Sequence, residues 1–411
     1  MYKLKATFRI VTPMFIAGAN QQQAELRAPS FKGALRFWWR ALAYTRFGGN
    51  LDILRTEEAR LFGSTDNAAS FQIVPMTHHL KQLIPPATHP EFAHNNNKGT
   101  DRTGARYLAY GLMEAFGSKN KNKKAGQLCR ACLDPDQFEV YLSSRKEFST
   151  DIISAIKLLG LLGGLGSRTR RGFGSIALEK LSGDCEWTAP KTNEEYIREI
   201  TEMLGENLLN QRPPYSAFSC HTRIDLLIKN EKSPYDVLNA LGLRMIDYRS
   251  WGQSTRKNIL PSGKVSEKRF KDDHDWYKKK KEWRKLHPTF HPQRVFFGLP
   301  HNYSRETIDH VRPEIHERRS SPLFFHVHQL GDKFIGVSTL FKSDFLPNIE
   351  RDNERNTEKI RAGDRIVDLV DGWNILEEFI DGNEGNPRGT NPRKRFPNAK
   401  NILLCGKEAT L

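Results

Sequence analysis

The sequence predicts an α+β fold built from two β-α-β-β-α-β units with long insertions. Three observations carry this reading. Tyr2, Leu4, Ala6, Phe8 and Ile10 alternate with polar residues, the period-two pattern of a strand with one buried face. Leu35, Trp38, Trp39 and Leu42 fall at i, i+3, i+4 and i+7, the apolar stripe of an amphipathic helix. The order of strand and helix signals in the first half then recurs, loosely, in the second.

Each element has its own signal. After a polar loop, Ser30 is placed to cap a helix over Phe31–Phe47, which Gly48 and Gly49 end. A short strand is expected around Phe71–Val74. Residues 76–104 are rich in His, Pro and Asn and read as a long loop, Tyr107–Met113 fits helix and strand alike, and Lys119–Lys124 is a basic loop. Phe138–Leu142 reads as a strand. Thr150 or Asp151 opens a helix over Ile152–Leu162 that runs into a glycine-rich loop, and Ser175–Leu181 is the last strand of this half. Asn193–Asn210 reads as a connecting helix. In the second half, His221–Ile228, Val295–Leu299, Leu323–Gln329, Phe334–Leu340 and Ile402–Cys405 read as strands, and Tyr235–Tyr248 and Arg365–Ile380 as helices. This order is that of the ferredoxin-like, or RRM-like, split unit. It divides the chain into two domains, 1–185 and 186–411. Polar insertions at Pro261–His291 and Ile349–Arg361 interrupt the second, and the Gly/Pro/Asn-rich basic tail Gly382–Pro397 is expected to order only on a partner.

At 411 residues the chain is longer than one ordinary core. Its 38% hydrophobic and 27% charged residues fit a water-soluble globular protein. Sixty-four Lys and Arg against 48 Asp and Glu leave a net charge of +16, with a pI near 9.6. That balance points to an anionic partner, nucleic acid first. No apolar run reaches the roughly 18 residues that span a bilayer, so no membrane partner is expected. The N-terminus lacks the apolar stretch and cleavage site of a signal peptide. Five cysteines, an odd number, make no disulfide framework, and the expected location is cytoplasmic.

The stretch Gly160–Gly174 holds six glycines and three arginines, Arg168, Arg170 and Arg171, directly after an apolar helix. Glycines let a backbone come close to a ligand, exposed amides form an anion-binding concavity, and arginines add phosphate forks. A turn that closes a helix and starts a strand is the plainer alternative. No Gly-Lys-Ser/Thr follows, so this is not a Walker loop. Gly172–Ala177 matches G-x-G-x-x-A only formally, because it follows a helix and opens a strand, the reverse of the dinucleotide fingerprint. No cofactor is expected. Lys32, Arg36 and Arg40 recur at i, i+4 and i+8 beside the tryptophan stripe, a cationic line suited to a phosphate backbone or simply to water. The tryptophans themselves read as core. Cys129-x-x-Cys132 is half a zinc site with no second pair near it, so no metal is expected. Asp272–Asp275 beside Lys278–Lys281 reads as a solvated segment rather than a nuclease centre. His326 and His328 share one face of a strand and read as buried or surface residues rather than an acid–base pair. A metal-free ribonuclease needs only one or two acid–base groups, so cleavage of RNA stays open at this point.

The residues also carry a family resemblance. Arg27–Ala41 (RAPSFKGALRFWWRA) resembles the N-terminal signature of the first-subunit family of the Cmr complex, the type III-B CRISPR effector that uses a guide RNA against foreign transcripts. Gly166–Gly174 is similar to the glycine-rich loop of the wider RAMP superfamily. Tyr248–Gly252, Phe297–Pro300 and Glu317–Pro322 resemble later blocks of the same family. The resemblance implies two ferredoxin-like folds and a non-catalytic RNA-binding subunit in antiviral defence, near the 3′ region of the guide. It implies as partners the guide CRISPR RNA, single-stranded target RNA and other Cmr subunits. The residues it places against RNA are Lys32, Arg36, Arg40, Gly164, Gly166, Ser167, Arg168, Thr169, Arg170 and Arg171, and from the later blocks Arg249 and Trp251. The second reading is a metal-independent RAMP endoribonuclease that processes guide precursors. The insertion Pro261–His291 and the tail Gly382–Pro397 have no counterpart in the family pattern.

Overall fold

Lys3, Lys5, Thr7 and Arg9 leave one side of the first strand to water, while Leu4, Ala6, Phe8 and Ile10 are buried on the other. The computed structural model describes residues 1–94, 101–117, 122–205, 207–251, 258–278, 285–302, 310–351, 354–382 and 396–403. Strand β1 (Tyr2–Ile10) is central to a five-stranded antiparallel sheet. It pairs on one side with β3 (Gln137–Ser144), from Tyr2 opposite Ser144 to Arg9 opposite Gln137, and on the other with β4 (Ile176–Gly183). The edges are β2 (Phe71–Met76) beside β3 and β5 (Trp187–Thr188) beside β4. Cross-strand ion pairs line the wet face, Lys5–Glu139 at 2.6 Å and Arg9–Glu179 at 2.5 Å.

Two helices cover the dry face. Helix α1 (Ala28–Arg46) carries Pro29 in its first turn, where the missing amide costs no hydrogen bond. It therefore starts earlier than the Ser30 cap implied, and Arg27 at its N-cap makes no side-chain bond. Trp38 and Trp39 are buried, as their stripe predicts, at 2% and 1% exposure. Helix α4 (Thr150–Leu162) is apolar and buried throughout its last turn, Leu158–Leu162, while Asp151, Ser154 and Lys157 stay partly exposed nearer its start. Between them lie α2 (Leu51–Phe62), which no sequence signal had marked and which Asn50 caps through the Asp52 and Ile53 amides, and α3 (Thr103–Leu108). Helix α5 (Asn193–Leu204), closed by a Thr192/Glu195 capping box, leads to the second half.

There, β6 (Thr222–Glu231), α6 (Pro234–Arg249) and α7 (Lys271–Lys278) are followed by a small sheet and a large one. The small sheet uses β7 (His301–Asn302), β8 (His310–Pro313), β11 (Ile360–Ala362) and β12 (Arg365–Val367), in the order β12-β11-β8-β7. The large sheet joins β9 (Leu323–Leu330), β10 (Lys333–Phe341), β6 and β13 (Lys400–Leu403), in the order β9-β10-β6-β13, all antiparallel. Helix α8 (Trp373–Asp381) precedes β13. Counted among the strands of its own sheet, each large sheet runs second, third, first, fourth, with β5 added as a fifth strand at the edge of the first. The chain is thus a mixed α/β protein of antiparallel sheets. Among the described residues no helix is long and apolar enough to cross a membrane.

Several expectations are corrected. Val295–Leu299 is not a strand: Gln293–Phe297 is a 3-10 turn between Pro292 and Gly298, whose φ of +119° ends it. Arg365–Ile380 is not one helix. Its start pairs as β12, and Asp371 and Gly372 restart the chain at Trp373, whose amide donates to Asp371 Oδ1 at 3.2 Å. Asp272–Asp275 is not a solvated run. It lies on α7, where Asp273 is fully buried and Asp275 nearly so. In the tail, residues 383–395 lie outside the described residues, as do 118–121 of the basic loop and Cys405.

The halves share their cores. One apolar cluster joins Leu4, Phe8, Trp38 and Leu159 to Ile224, Phe324, Val337 and Phe341. Another joins Val11, Phe15, Phe92 and Phe173 to Val237, Leu241 and Val327. Neighbouring residues of β9, Phe324 and Phe325, belong to different clusters, so the strand is buried on both faces, His326 and His328 included.

Candidate nucleic-acid interface

The glycine loop is the seam between the halves. Leu165 N–H donates to Gly174 O (2.9 Å), Ser167 N–H to Phe15 O (2.7 Å) and Gly174 N–H to Pro13 O (3.0 Å). Thr12 and Ser175 hydroxyls both donate to Gly172 O, at 2.7 and 3.0 Å. The Ser175 hydroxyl also accepts from Val327 N–H of β9 at 3.1 Å. The glycines answer first to the protein itself. A Cβ at Gly174 (φ +62°) would lie 2.0 Å from Leu165 O, and one at Gly166 (φ +89°) 2.5 Å from Phe15 O. Close approach of backbone to backbone, rather than of backbone to phosphate, accounts for both.

What the loop offers a ligand is its amides. The N–H groups of Gly164, Gly166, Arg168, Thr169 and Arg170 have no protein acceptor among the described residues. Arg168 is held at φ +63°, ψ +24°, a left-handed conformation uncommon for a side-chain-bearing residue. Successive unpaired amides around such a turn are the geometry that binds an oxyanion.

The arginines supply charge without a carboxylate. Arg168 Nε and Nη2 donate to Tyr110 O at 3.1 and 2.7 Å. Arg170 Nη1 donates to Ser321 O at 2.7 Å, and its guanidinium lies 4.4 Å from the Phe324 ring centre. Burial first, then the nearby Arg319, pushes Arg170 down to about 10. Burial first, then Arg249, pushes the half-buried Arg171 down to about 10, and burial does the same to Arg319. All stay charged at neutral pH. Among the described residues none of Arg168, Arg170, Arg171, Arg249 and Arg319 forms an ion pair with Asp or Glu.

Three clefts connect along this seam. The first, about 250 Å³, is lined by Phe15, Gly18, Arg130, Gly166 and Ser167. The second, about 210 Å³, shares Gly166 and lies between Ser30, Ala34 and Phe37 of α1 and Gly163–Gly166 of the loop. The third, about 300 Å³, shares Phe37 and Arg170 and adds Arg40, Tyr215 and Arg319. Shared lining residues set the three side by side in a row, the groove, with Arg130 at one end and Arg40 and Arg319 beside Asp344 at the other.

The residues singled out from the sequence fall into three groups. Gly164, Gly166, Ser167, Thr169, Arg170 and Arg40 line the groove. Arg171 lies near Arg249, whose guanidinium is 4.6 Å from the Phe297 ring centre and 3.3 Å from His301 Nε2. Burial, then Arg249 and Arg294, holds His301 well below its usual value, so it is neutral. The rest, Arg168 on Tyr110 O among them, lie outside the groove. Arg36 pairs with the buried Glu58, which Arg40 also approaches at 3.8 Å. Trp251 stacks on His274 at 4.0 Å with 4° between the planes. Lys32 is half-buried with no ion pair among the described residues. Phe37, Arg130, Phe324 and Arg319 line the groove without having stood out in the sequence. Phe37 sits one place off the apolar stripe, Arg130 lies inside the Cys129/Cys132 pair, and Arg319 lies in the Glu317–Pro322 block, which carried a signal without a role.

Cys132 is buried, and burial pushes its thiol up to about 12; Cys129 is exposed. No cluster of three or more His, Cys, Asp or Glu suited to a metal occurs among the described residues.

Two antiparallel sheets joined through a glycine-arginine loop define a class. Residues 7–177 match the family model of the RAMP superfamily. It is 24% identical over 371 residues to CRISPR system Cmr subunit Cmr1-1 of Pyrococcus furiosus, covering 88% of each chain. It is 27% identical over 190 residues to Cmr1-2 of the same organism, covering 44% of this chain and 97% of that one. Its fold matches the crystal structure of apo Cmr1 from Pyrococcus furiosus with a TM-score of 0.52 at 19% identity, over 98% of this chain and 99% of that one.

Proposed function

We propose that this chain is a non-catalytic RNA-binding subunit of a type III-B Cmr effector complex, holding the 3′ region of the guide RNA and the nearby target RNA. In this reading the two units, 1–185 and 186–411, are ferredoxin-like folds that meet at the RNA path. The observation that carries it is the groove along the glycine loop, where unpaired amides share the lining with Arg130, Arg170 and Arg319, none of them ion-paired among the described residues, and with one acidic residue, Asp344. Phosphates satisfy the amides, and the cations release counterions from the strand. Base identity is left to guide–target pairing. Similarity to Cmr1-1 over most of the chain supports assembly with other Cmr subunits. Grip without cleavage draws support from His326 and His328, which are buried at 2% and 0% exposure and face no groove.

The test is the salt dependence of single-stranded RNA binding by the full chain. Arg130→Ala and Arg170→Ala, at residues that line the groove, are each expected to weaken binding and to flatten the slope of log affinity against log salt by about 0.7 for each phosphate no longer neutralised. An unchanged slope removes the loop from the RNA path. Incubation with repeat-containing RNA in EDTA distinguishes the endoribonuclease: specific cleavage that disappears on replacing one histidine would displace this reading. Crosslinks mapped in the assembled complex separate guide from target contacts.

A further inference from the structure

We infer that the middle cleft of the groove is a pocket for one unpaired nucleobase. This rests on the RNA reading of the groove and adds to it what the strand does there. The two outer clefts carry Arg130 at one end and Arg40 and Arg319 at the other. The middle one differs in setting aromatic rings beside the Gly163–Gly166 backbone. Ala34, Phe37, Trp38, Leu162, Leu165 and Phe324 are half of the twelve residues that line it. A phosphate gains nothing from such a wall, and a cation is repelled by Arg170 at its rim.

A nucleobase fits both parts of the lining. Phe37 and Phe324 lie 5.7 Å apart at 24°, and the Arg170 guanidinium sits 4.4 Å above Phe324, so two rings and a planar cation form one surface. Bases stack on aromatic rings and on guanidinium planes. The opposite wall is Gly163–Gly166, without side chains at three of its four positions. At the polar edge stand the Ser30 and Thr169 hydroxyls and the Gly164 and Gly166 amides, none with a protein partner among the described residues. Such donors and acceptors suit the edge of a base, which is exposed only when the base is turned out of a helix. Phosphates in the outer clefts and a base in the middle one are the three parts of a single strand passing through. The RNA at this seam is therefore unpaired at one position.

The experiment uses the full chain and a single-stranded oligoribonucleotide in which one abasic nucleotide is walked along the sequence. One position is expected to weaken binding by about fivefold to a hundredfold, the loss of one stacked base. Ala34→Trp, which fills the pocket from α1, is expected to lose the same factor on the intact oligonucleotide and to become indifferent to the abasic step. Its salt slope stays that of the parent, because the phosphates are held as before. Ala34→Leu, a smaller filling, serves if circular dichroism shows the Trp variant unfolded. If both variants keep the parent's abasic penalty, or no abasic position weakens the parent, the base pocket is wrong and the phosphate groove stands. If parent binding shows no salt dependence and ignores Arg130→Ala, the groove reading itself fails.

Discussion

Asp273 shows how one residue can mislead from sequence. In an acidic run it looks solvated, yet it is fully buried and accepts from the Gln293 and Arg294 amides at 2.7 and 3.0 Å and from Arg294 Nε at 3.0 Å. It anchors the 3-10 turn that replaces an expected strand. Asp273→Ala takes the carboxylate away from the largely buried Arg294 and is expected to cost about 3–5 kcal/mol, read from the urea midpoint. The loop arginines are the opposite case: their carbonyl partners hold geometry, but no carboxylate neutralises them. Single-stranded RNA in excess is accordingly expected to raise the melting temperature of the chain, and high salt to cancel the rise. A shift that survives high salt would mean that apolar contacts dominate.

At the scale of elements, the glycine loop and α1 make different demands on the same residue type. Gly174 is left-handed and pressed on Leu165 O. Gly174→Ala is therefore expected to destabilise by roughly 2 kcal/mol or more through strain and clash. Gly33 is exposed on α1, and a methyl added there would meet nothing within 4 Å, so Gly33→Ala is expected to stabilise by up to about 1 kcal/mol. Equal melting temperatures for the two variants would contradict this assignment. Strand β9 brings a titratable pair to the seam: His326 Nε2 and His328 Nδ1 are 3.2 Å apart, and the Tyr196 ring centre is 4.8 Å from that of His328. Burial holds His326 down at about 3, and burial, then His326, holds His328 well below its usual value. The unfolded chain then binds more protons than the folded one from about pH 6.5 downward, so stability falls with pH across that window. His326→Leu with His328→Leu is expected to flatten the fall between roughly pH 6.5 and 4.5, seen as a smaller drop in melting temperature than the parent shows.

For the whole molecule, the decisive fact is that both apolar clusters run through both halves. Cores shared in this way melt together, so a single calorimetric transition is expected for the chain, and a fragment ending at 185 is expected to aggregate. Two separate transitions would mean that each half carries its own core. Repetition of strand order across the halves was legible because buried strands and amphipathic helices advertise themselves locally. The small sheet of β7, β8, β11 and β12 was not, since strands of two to four residues lack a period to read. Helix α2 had a clear cap in Asn50 but a weakly apolar face, with Leu54, Leu61 and Phe62 its buried hydrophobics.

The sequence by itself determined the α+β order, the buried tryptophan stripe, the basic balance and the glycine-arginine loop as the place of interest. Each follows from local spacing or from composition. Only the tertiary structure decided what the loop is for within the fold. It showed that Gly166 and Gly174 serve backbone packing, that Arg36 is taken by Glu58, and that Phe37, Arg130, Phe324 and Arg319 come from distant segments to line one groove. A groove is a relation between surfaces far apart in the chain, and no spacing along a sequence encodes which of them will face each other.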